Sequence, residues 1–356
     1  MTDRFYELLE EYRDARRNAF VEAFMINNSG KHIAGIYNVN VPREILWAMD
    51  IIPVNIFSID DSNVKEAENV LDKDTCSLIK ASYGYYITDK CPLTHFSDLI
   101  VATDMCPEKL NMIKKLSDRK KIYILKEKKK ADELIPEMRN FVSFLEREFD
   151  VEMNEEKLVS VIKMSNAVNK KMMELIMLYC SNKAAISCDD LFSIIFGNQF
   201  ILNLNERLEK LSEVVEIIKK IDNSFETSKR KSVLINGAPI AGIKEKLLGA
   251  LSASDVTVLF SAPFCEGESL MLVDEQQDIY RALSEKYKSL EYFGKYYVMN
   301  ELQNYDASIN VRFEGCNHTE FSDNSYKENI FIETSYSEKD ADEILKKINL
   351  FIKDIQ

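Results

Sequence analysis

The feature that most constrains this chain is a repeated order: a short apolar run, then a turn or loop, then a helical pattern. The order recurs at both ends of the sequence and is missing from the middle. Ile33 to Val39, Ile51 to Phe57, Asp98 to Ala102 and Lys121 to Leu125 read as one set of strands. The run beginning at Ser232, then Val256 to Phe260, Ile309 to Phe313 and Ile330 to Glu333, read as a second. Short apolar runs that alternate with helices predict parallel sheets. Pro42 can start the first intervening helix, Arg43 to Met49, because the N–H it lacks would be unpaired there anyway.

Residues 1–29 carry Phe5, Leu8, Leu9, Tyr12, Phe20 and Phe24 at helical spacing, and Gly30 ends the run. Residues 131–230 show helical periodicity with almost no Gly or Pro. At 356 residues the chain exceeds one ordinary core. The expected fold class is α/β: an N-terminal helix (1–30), a first doubly wound parallel-sheet domain (31–130), a helical segment (131–230) and a second such domain (231–356).

Charge removes several functions. A net charge of −13 is wrong for a nucleic-acid surface, which needs a basic patch. The basic runs Arg119-Lys120-Lys121 and Lys126 to Lys130 sit beside acids and read as solvated faces. No run reaches the roughly 18 apolar residues of a membrane span. The charged, helical amino terminus is no signal peptide, so a cytoplasmic chain with reduced thiols is expected. Only three histidines (His32, His95, His318) disfavour histidine-rich zinc or di-iron sites.

Seven cysteines remain to be explained as buried small hydrophobes, metal ligands or catalytic groups. Cys76, Cys91 and Cys106 fall at two equal intervals of fifteen residues. Cys106, Cys265 and Cys316 each follow the carboxyl end of an expected strand, the edge where open parallel sheets bind ligands. If the two domains face each other, Cys76 and Cys106 can meet Cys265 and Cys316 across a cleft. Soft thiolates in a reducing compartment suit an iron–sulfur cluster or zinc, although no CxxC pair is present. Cys91 can be ligand or core. Cys180, on an apolar helix face, and Cys188, at a helix cap, read as core. The turn from Gly237 to Gly242 resembles half of a nucleotide fingerprint, and a helix start there could hold an anion such as a CoA phosphate. Lys80, Ser82, Tyr83, His95, Glu266 and His318 are polar candidates near the site, with Ser82, Glu266 and His318 the catalytic ones.

Several stretches resemble one family. GIYNVNVPREILWAMDIIPVNIF is similar to the entry motif of the 2-hydroxyacyl-CoA dehydratase / benzoyl-CoA reductase family. CSLIKASYGYYITDKCPLTHFSDLIVATDMCPEK resembles its cluster segment, most closely that of the double-cubane-cluster branch. VLINGAPIAG, FCEGES and GCNHTEF resemble later motifs, with Cys265 and Cys316 in matching places. The resemblance implies two flavodoxin-like domains holding a [4Fe–4S] or double-cubane cluster between them. It also implies an ATP-hydrolysing activator that supplies low-potential electrons, a homo- or heterodimer with a related subunit, and an acyl-CoA substrate. On it, Cys76, Cys106, Cys265 and Cys316 are the first-choice ligands and Cys91 the next, with one [4Fe–4S] cluster as the cofactor.

Three departures from the family pattern stand out, two of them at thiol positions. Asn38 occupies the position of the entry-motif cysteine and Ala238 that of a later one, and Pro107 replaces the acid after Cys106. A double cubane, needing about six thiolates by terminal-ligand counting, is therefore not expected. The reading of a reductase or dehydratase, or one subunit of it, has two rivals. One is a non-catalytic partner subunit of a heterodimer; the other is a cluster-free protein binding acyl-CoA or another small ligand.

Overall fold

Thr2 starts the structure as the cap of α1 (Asp3–Asn28): its hydroxyl accepts the Phe5 N–H, an otherwise orphaned donor of the first turn. The computed structural model describes residues 2–37, 40–104, 106–181, 186–220, 230–260, 270–288, 305–317 and 328–355. Phe5, Leu8, Leu9 and Tyr12 are buried as their spacing predicts. The helix stops at Gly30, whose φ of +77° costs glycine little and other residues more.

The first sheet is assembled from β1 (His32–Ile36), α2 (Arg43–Ala48), β2 (Ile51–Asn55), α3 (Val64–Ala67), α4 (Ser77–Ile87), α5 (Pro92–Phe96), β3 (Leu99–Thr103), α6 (Pro107–Leu116) and β4 (Lys121–Leu125). Its strand order is β2-β1-β3-β4, all parallel, with Ile36 opposite Val101 and Val101 opposite Tyr123. Four helices follow: α7 (Ala131–Phe149), α8 (Glu155–Cys180), α9 (Cys188–Asn198) and α10 (Leu204–Lys219). Ser187 and Asp190 form a reciprocal capping box at the start of α9.

The second sheet uses β5 (Lys231–Gly237), α11 (Lys244–Ser252), β6 (Val256–Phe260), α12 (Ile279–Lys288), β7 (Ala307–Phe313), β8 (Glu328–Thr334) and α13 (Ala341–Ile355). Its order, β6-β5-β7-β8, repeats that of the first sheet. In each sheet the chain first moves outward to one side and then crosses to the other, so the strand order reverses between β1 and β3 and between β5 and β7. That is the doubly wound, flavodoxin-like arrangement, and the crevice outside those strand ends is where such sheets bind ligands. The α/β class read from the sequence is what the structure has.

The helices between the sheets join them. α9 packs on both α1 and α11, while α8 packs on α10 and α2. α12 follows β6 in sequence yet lies on α7, and its Tyr280, Ala282, Leu283 and Tyr287 share a core with Leu46, Leu134, Phe141 and Leu158. A buried polar lock holds it there. The Glu44 carboxylate accepts the Lys286 ammonium at 2.7 Å, the Tyr287 hydroxyl at 2.7 Å and the Ser165 hydroxyl at 3.2 Å. Burial alone would raise the Glu44 carboxyl. The Lys286 charge and hydrogen bond, with that from Tyr287, outweigh it and hold the group below the usual carboxylate range. Among the described residues, no helix is long and apolar enough to cross a membrane.

Candidate functional site

The carboxyl edges of the two sheets meet. Tyr336, beyond β8, donates its hydroxyl to Ser58 O beyond β2 at 2.9 Å. Ser77, at the start of α4, donates its N–H to Glu314 O beyond β7 at 3.0 Å, and its hydroxyl donates to the same oxygen at 3.4 Å. Two thiols come together at this seam. Cys76 is the residue before α4, and Cys316 lies in the tight turn after β7, where its N–H donates to Phe313 O at 3.0 Å.

The Cys316 side chain hydrogen-bonds the Cys76 thiol, and this contact, together with burial, pushes the Cys76 thiol well above the ordinary thiol range. The N–H groups of Leu78 and Ile79 at the helix start pull the other way and are outweighed. A metal cation that displaces both protons would relieve this pairing, so the two thiols are a soft donor set suited to iron–sulfur or zinc.

Cys106 stands at the start of α6, beyond β3, where its Sγ accepts the Lys109 N–H at 3.5 Å. The Lys109 ammonium reaches across to Tyr37 O at 3.2 Å, beyond β1. One side chain joins this loop to the other two. The Glu108 carboxylate accepts the Cys76 N–H at 3.4 Å through one oxygen and the Asn317 amide at 3.3 Å through the other. The loops that carry Cys76, Cys106 and Cys316 are thus tied at one point.

Cys91 is elsewhere. It precedes α5, buried beside Tyr37, whose hydroxyl is raised by burial and then by Cys91. Lys90 N–H donates to Tyr85 O, which keeps Cys91 by the last turn of α4. At 1.5 Å per residue this is roughly 13 Å along the helix from Cys76. The fifteen-residue spacing has a local meaning all the same: Cys76, Cys91 and Cys106 are each the capping residue of a helix, α4, α5 and α6.

Asn38, Cys265, Glu266 and His318 lie outside the described residues. The other polar candidates are engaged locally. Buried Ser82 accepts the Ser58 N–H at 3.0 Å, which fixes the loop after β2. Lys80 donates to Glu68 at 3.4 Å and to Lys73 O at 3.1 Å. Buried Tyr83 stacks on Tyr86, and exposed His95 pairs with Asp89 at 2.9 Å. Beyond β5, Ala238 N–H donates to Val311 O at 2.8 Å, so the turn extends the sheet before α11 begins. Cys180 packs against the core, its thiol raised by burial to about 12; buried Cys188 contacts the Ser252 hydroxyl at 3.0 Å.

Among the described residues, no group of three or more His, Cys, Asp or Glu stands close enough to hold a metal ion. The described donors are therefore a thiol pair with a third thiol tied to its loops, and a complete ligand shell needs a contribution from beyond them. Glu108 and Asn317 were not legible beforehand. An acid in a first helical turn ordinarily reads as complementing the helix dipole, and nothing local shows that its oxygens face two distant loops.

Two comparisons bear on this arrangement. A curated protein of Escherichia coli (strain K12), named "Putative dehydratase subunit YjiM", is 25% identical over 373 residues, covering 97% of this chain and 97% of its own length. The family model described as 2-hydroxyglutaryl-CoA dehydratase, D-component, matches residues 38–355, which takes in the second sheet, the first sheet apart from β1, and all seven cysteines. The chain belongs to the 2-hydroxyglutaryl-CoA dehydratase D-component family.

Proposed function

We propose that this chain is a subunit of a 2-hydroxyacyl-CoA dehydratase-type enzyme, with an iron–sulfur cluster, [4Fe–4S] in type, seated where the two sheet edges meet. Cys76, Cys316 and Cys106 would hold it, with Cys265 as the fourth thiolate. The single observation behind this reading is the contact between the Cys76 and Cys316 thiols, drawn from the loops of two different sheets. The family and the relative named as a dehydratase subunit support the reaction class. Bound there, the cluster would supply one-electron chemistry at low potential.

The chain's own residues would do the rest. The helix starts at α4 and α6 offer N–H groups to the thiolates, as at Leu78, Ile79 and Lys109. Burial of Cys76 keeps water from that side of the site. An acyl-CoA thioester would enter between the sheets, and an ATP-hydrolysing activator would dock as electron donor, all in the cytoplasm. Cys91, away from the pair, would serve as a core residue. The test is anaerobic purification with such an activator, following visible absorption on ATP addition. ATP-dependent bleaching of a brown protein is expected. A colourless chain with no ATP-dependent change overturns the reading.

A second reading is favoured by one observation: Asn38 and Ala238 stand where the family motifs carry cysteine. In it the chain is the partner subunit that completes a heterodimer around a cysteine-complete sister. Co-purification with such a sister, with all the iron in the sister chain, distinguishes it.

A further inference from the structure

We infer that Glu108 is a positioning residue that sets the spacing of the thiol-bearing loops and, through its charge, lowers the reduction potential of the centre they hold. The inference rests on the reading of Cys76, Cys106 and Cys316 as ligands. Glu108 is two residues beyond Cys106 in the first turn of α6. A carboxylate there needs no role beyond the helix dipole. Its two oxygens nonetheless each take a donor from a different loop: the N–H of Cys76 itself, and the side-chain amide of Asn317, the neighbour of Cys316. The carboxylate is thus one residue or less from two of the thiol positions and two from the third.

Geometry and charge give separable effects. Removing the side chain releases both contacts, and the loop carrying Cys316 is then held on that of Cys76 by the Ser77 bonds to Glu314. A glutamine keeps the length and can still accept from one donor, but its NH2 group faces the other, so one contact is lost together with the charge. A fixed negative charge beside a redox centre disfavours the added electron and lowers the potential, whereas hydrogen bonds donated to ligand sulfurs act in the opposite sense.

The test uses the full chain in two states. In the reduced, cluster-free chain, oxidised glutathione serves as the oxidant. One thiolate of the Cys76–Cys316 pair attacks its disulfide and releases one glutathione thiolate. The partner thiolate then displaces the second, so two electrons pass from the protein thiols to one oxidised glutathione as the Cys76–Cys316 bond forms. Peptide mass spectrometry reads the rate. Glu108→Ala is expected to slow it about tenfold, and Glu108→Gln by less. In the reconstituted chain, Glu108→Gln is expected to shift the midpoint potential positive. Equal disulfide rates in wild type and both variants overturn the positioning role, and an unmoved potential overturns the electrostatic one. If no chain takes up iron, the ligand reading fails, while the disulfide rates still decide whether Glu108 spaces the loops.

Discussion

Replacing Gly315 by alanine should cost far more than the same change at Gly30, although both glycines have φ of +77°. The shared part of the cost is the left-handed backbone, about 1 kcal/mol for a residue with a Cβ. At Gly30 that is all, because an added Cβ meets nothing within 4 Å. At Gly315 it would lie 2.5 Å from Asp74 O and 3.0 Å from Thr75 C and O. The first contact is about 1 Å short of ordinary separation, and the obstacle is backbone that cannot rotate aside. The 314–317 loop must therefore lift from the 74–77 loop by a comparable amount. The Ser77 N–H to Glu314 O bond, now 3.0 Å, would open beyond hydrogen-bonding range, and the Asn317 bond to Glu108 would weaken. Two such bonds are worth roughly 1 kcal/mol each. Gly30→Ala should thus cost about 1 kcal/mol and Gly315→Ala about 3 kcal/mol. Urea unfolding of both variants, read as midpoints at unchanged slope, measures the difference. In parallel, the Gly315 variant should lose rapid disulfide formation between Cys76 and Cys316. Equal midpoint shifts in the two variants would refute the argument that the two loops are in close contact.

Other consequences concern buried charge. Lys286→Met removes the cation from Glu44, which is 1% exposed, and should destabilise the chain by about 3–5 kcal/mol near pH 8. In the wild type the lowered Glu44 value contributes stability that is present above the unfolded carboxyl pKa of about 4.3 and lost as pH falls through the folded value. Without Lys286, burial dominates and the carboxyl takes up a proton. The penalty should accordingly shrink between pH 8 and pH 5, and a pH-independent penalty in chemical denaturation would exclude this account. The Cys76 thiol shifts in the opposite sense, because its folded value is raised. Its contribution is full below the unfolded thiol pKa of about 8.5 and is lost as pH rises from there toward the folded value. Above pH 9 the cluster-free wild type should lose stability faster than Cys76→Ala by about 1.4 kcal/mol per pH unit. Parallel stability curves would show that the thiol is not held neutral by its surroundings.

The fold was legible because its signals are local. β3, from Leu99 to Thr103, is buried along its whole length and reads as a short apolar run between turn residues. Gly30 and Ser187 mark a helix end and a helix start by their own conformational preferences. The thiols Cys76, Cys106 and Cys316 were visible as candidates because each stands at a strand end or helix start. Their grouping was visible only as a possibility, since it depends on how two sheets face each other. The packing of α12 on α7 is illegible for a related reason: its Tyr287 and Lys286 are explained only by Glu44, far off in the sequence. Glu108 belongs to the same class. Its residue type fits a helix start, and its partners Cys76 N and Asn317 Nδ2 come from loops that no periodicity connects.

The most direct measurement of the central claim is iron and acid-labile sulfide per chain after anaerobic reconstitution, made on wild type, Cys76→Ala, Cys316→Ala and Cys180→Ala. If the paired thiols at the seam are ligands, the wild type and Cys180→Ala take up the same cluster complement, while Cys76→Ala and Cys316→Ala lose most of it. Full iron and sulfide in Cys76→Ala or Cys316→Ala would contradict the claim, as would iron well below one cluster in the wild type.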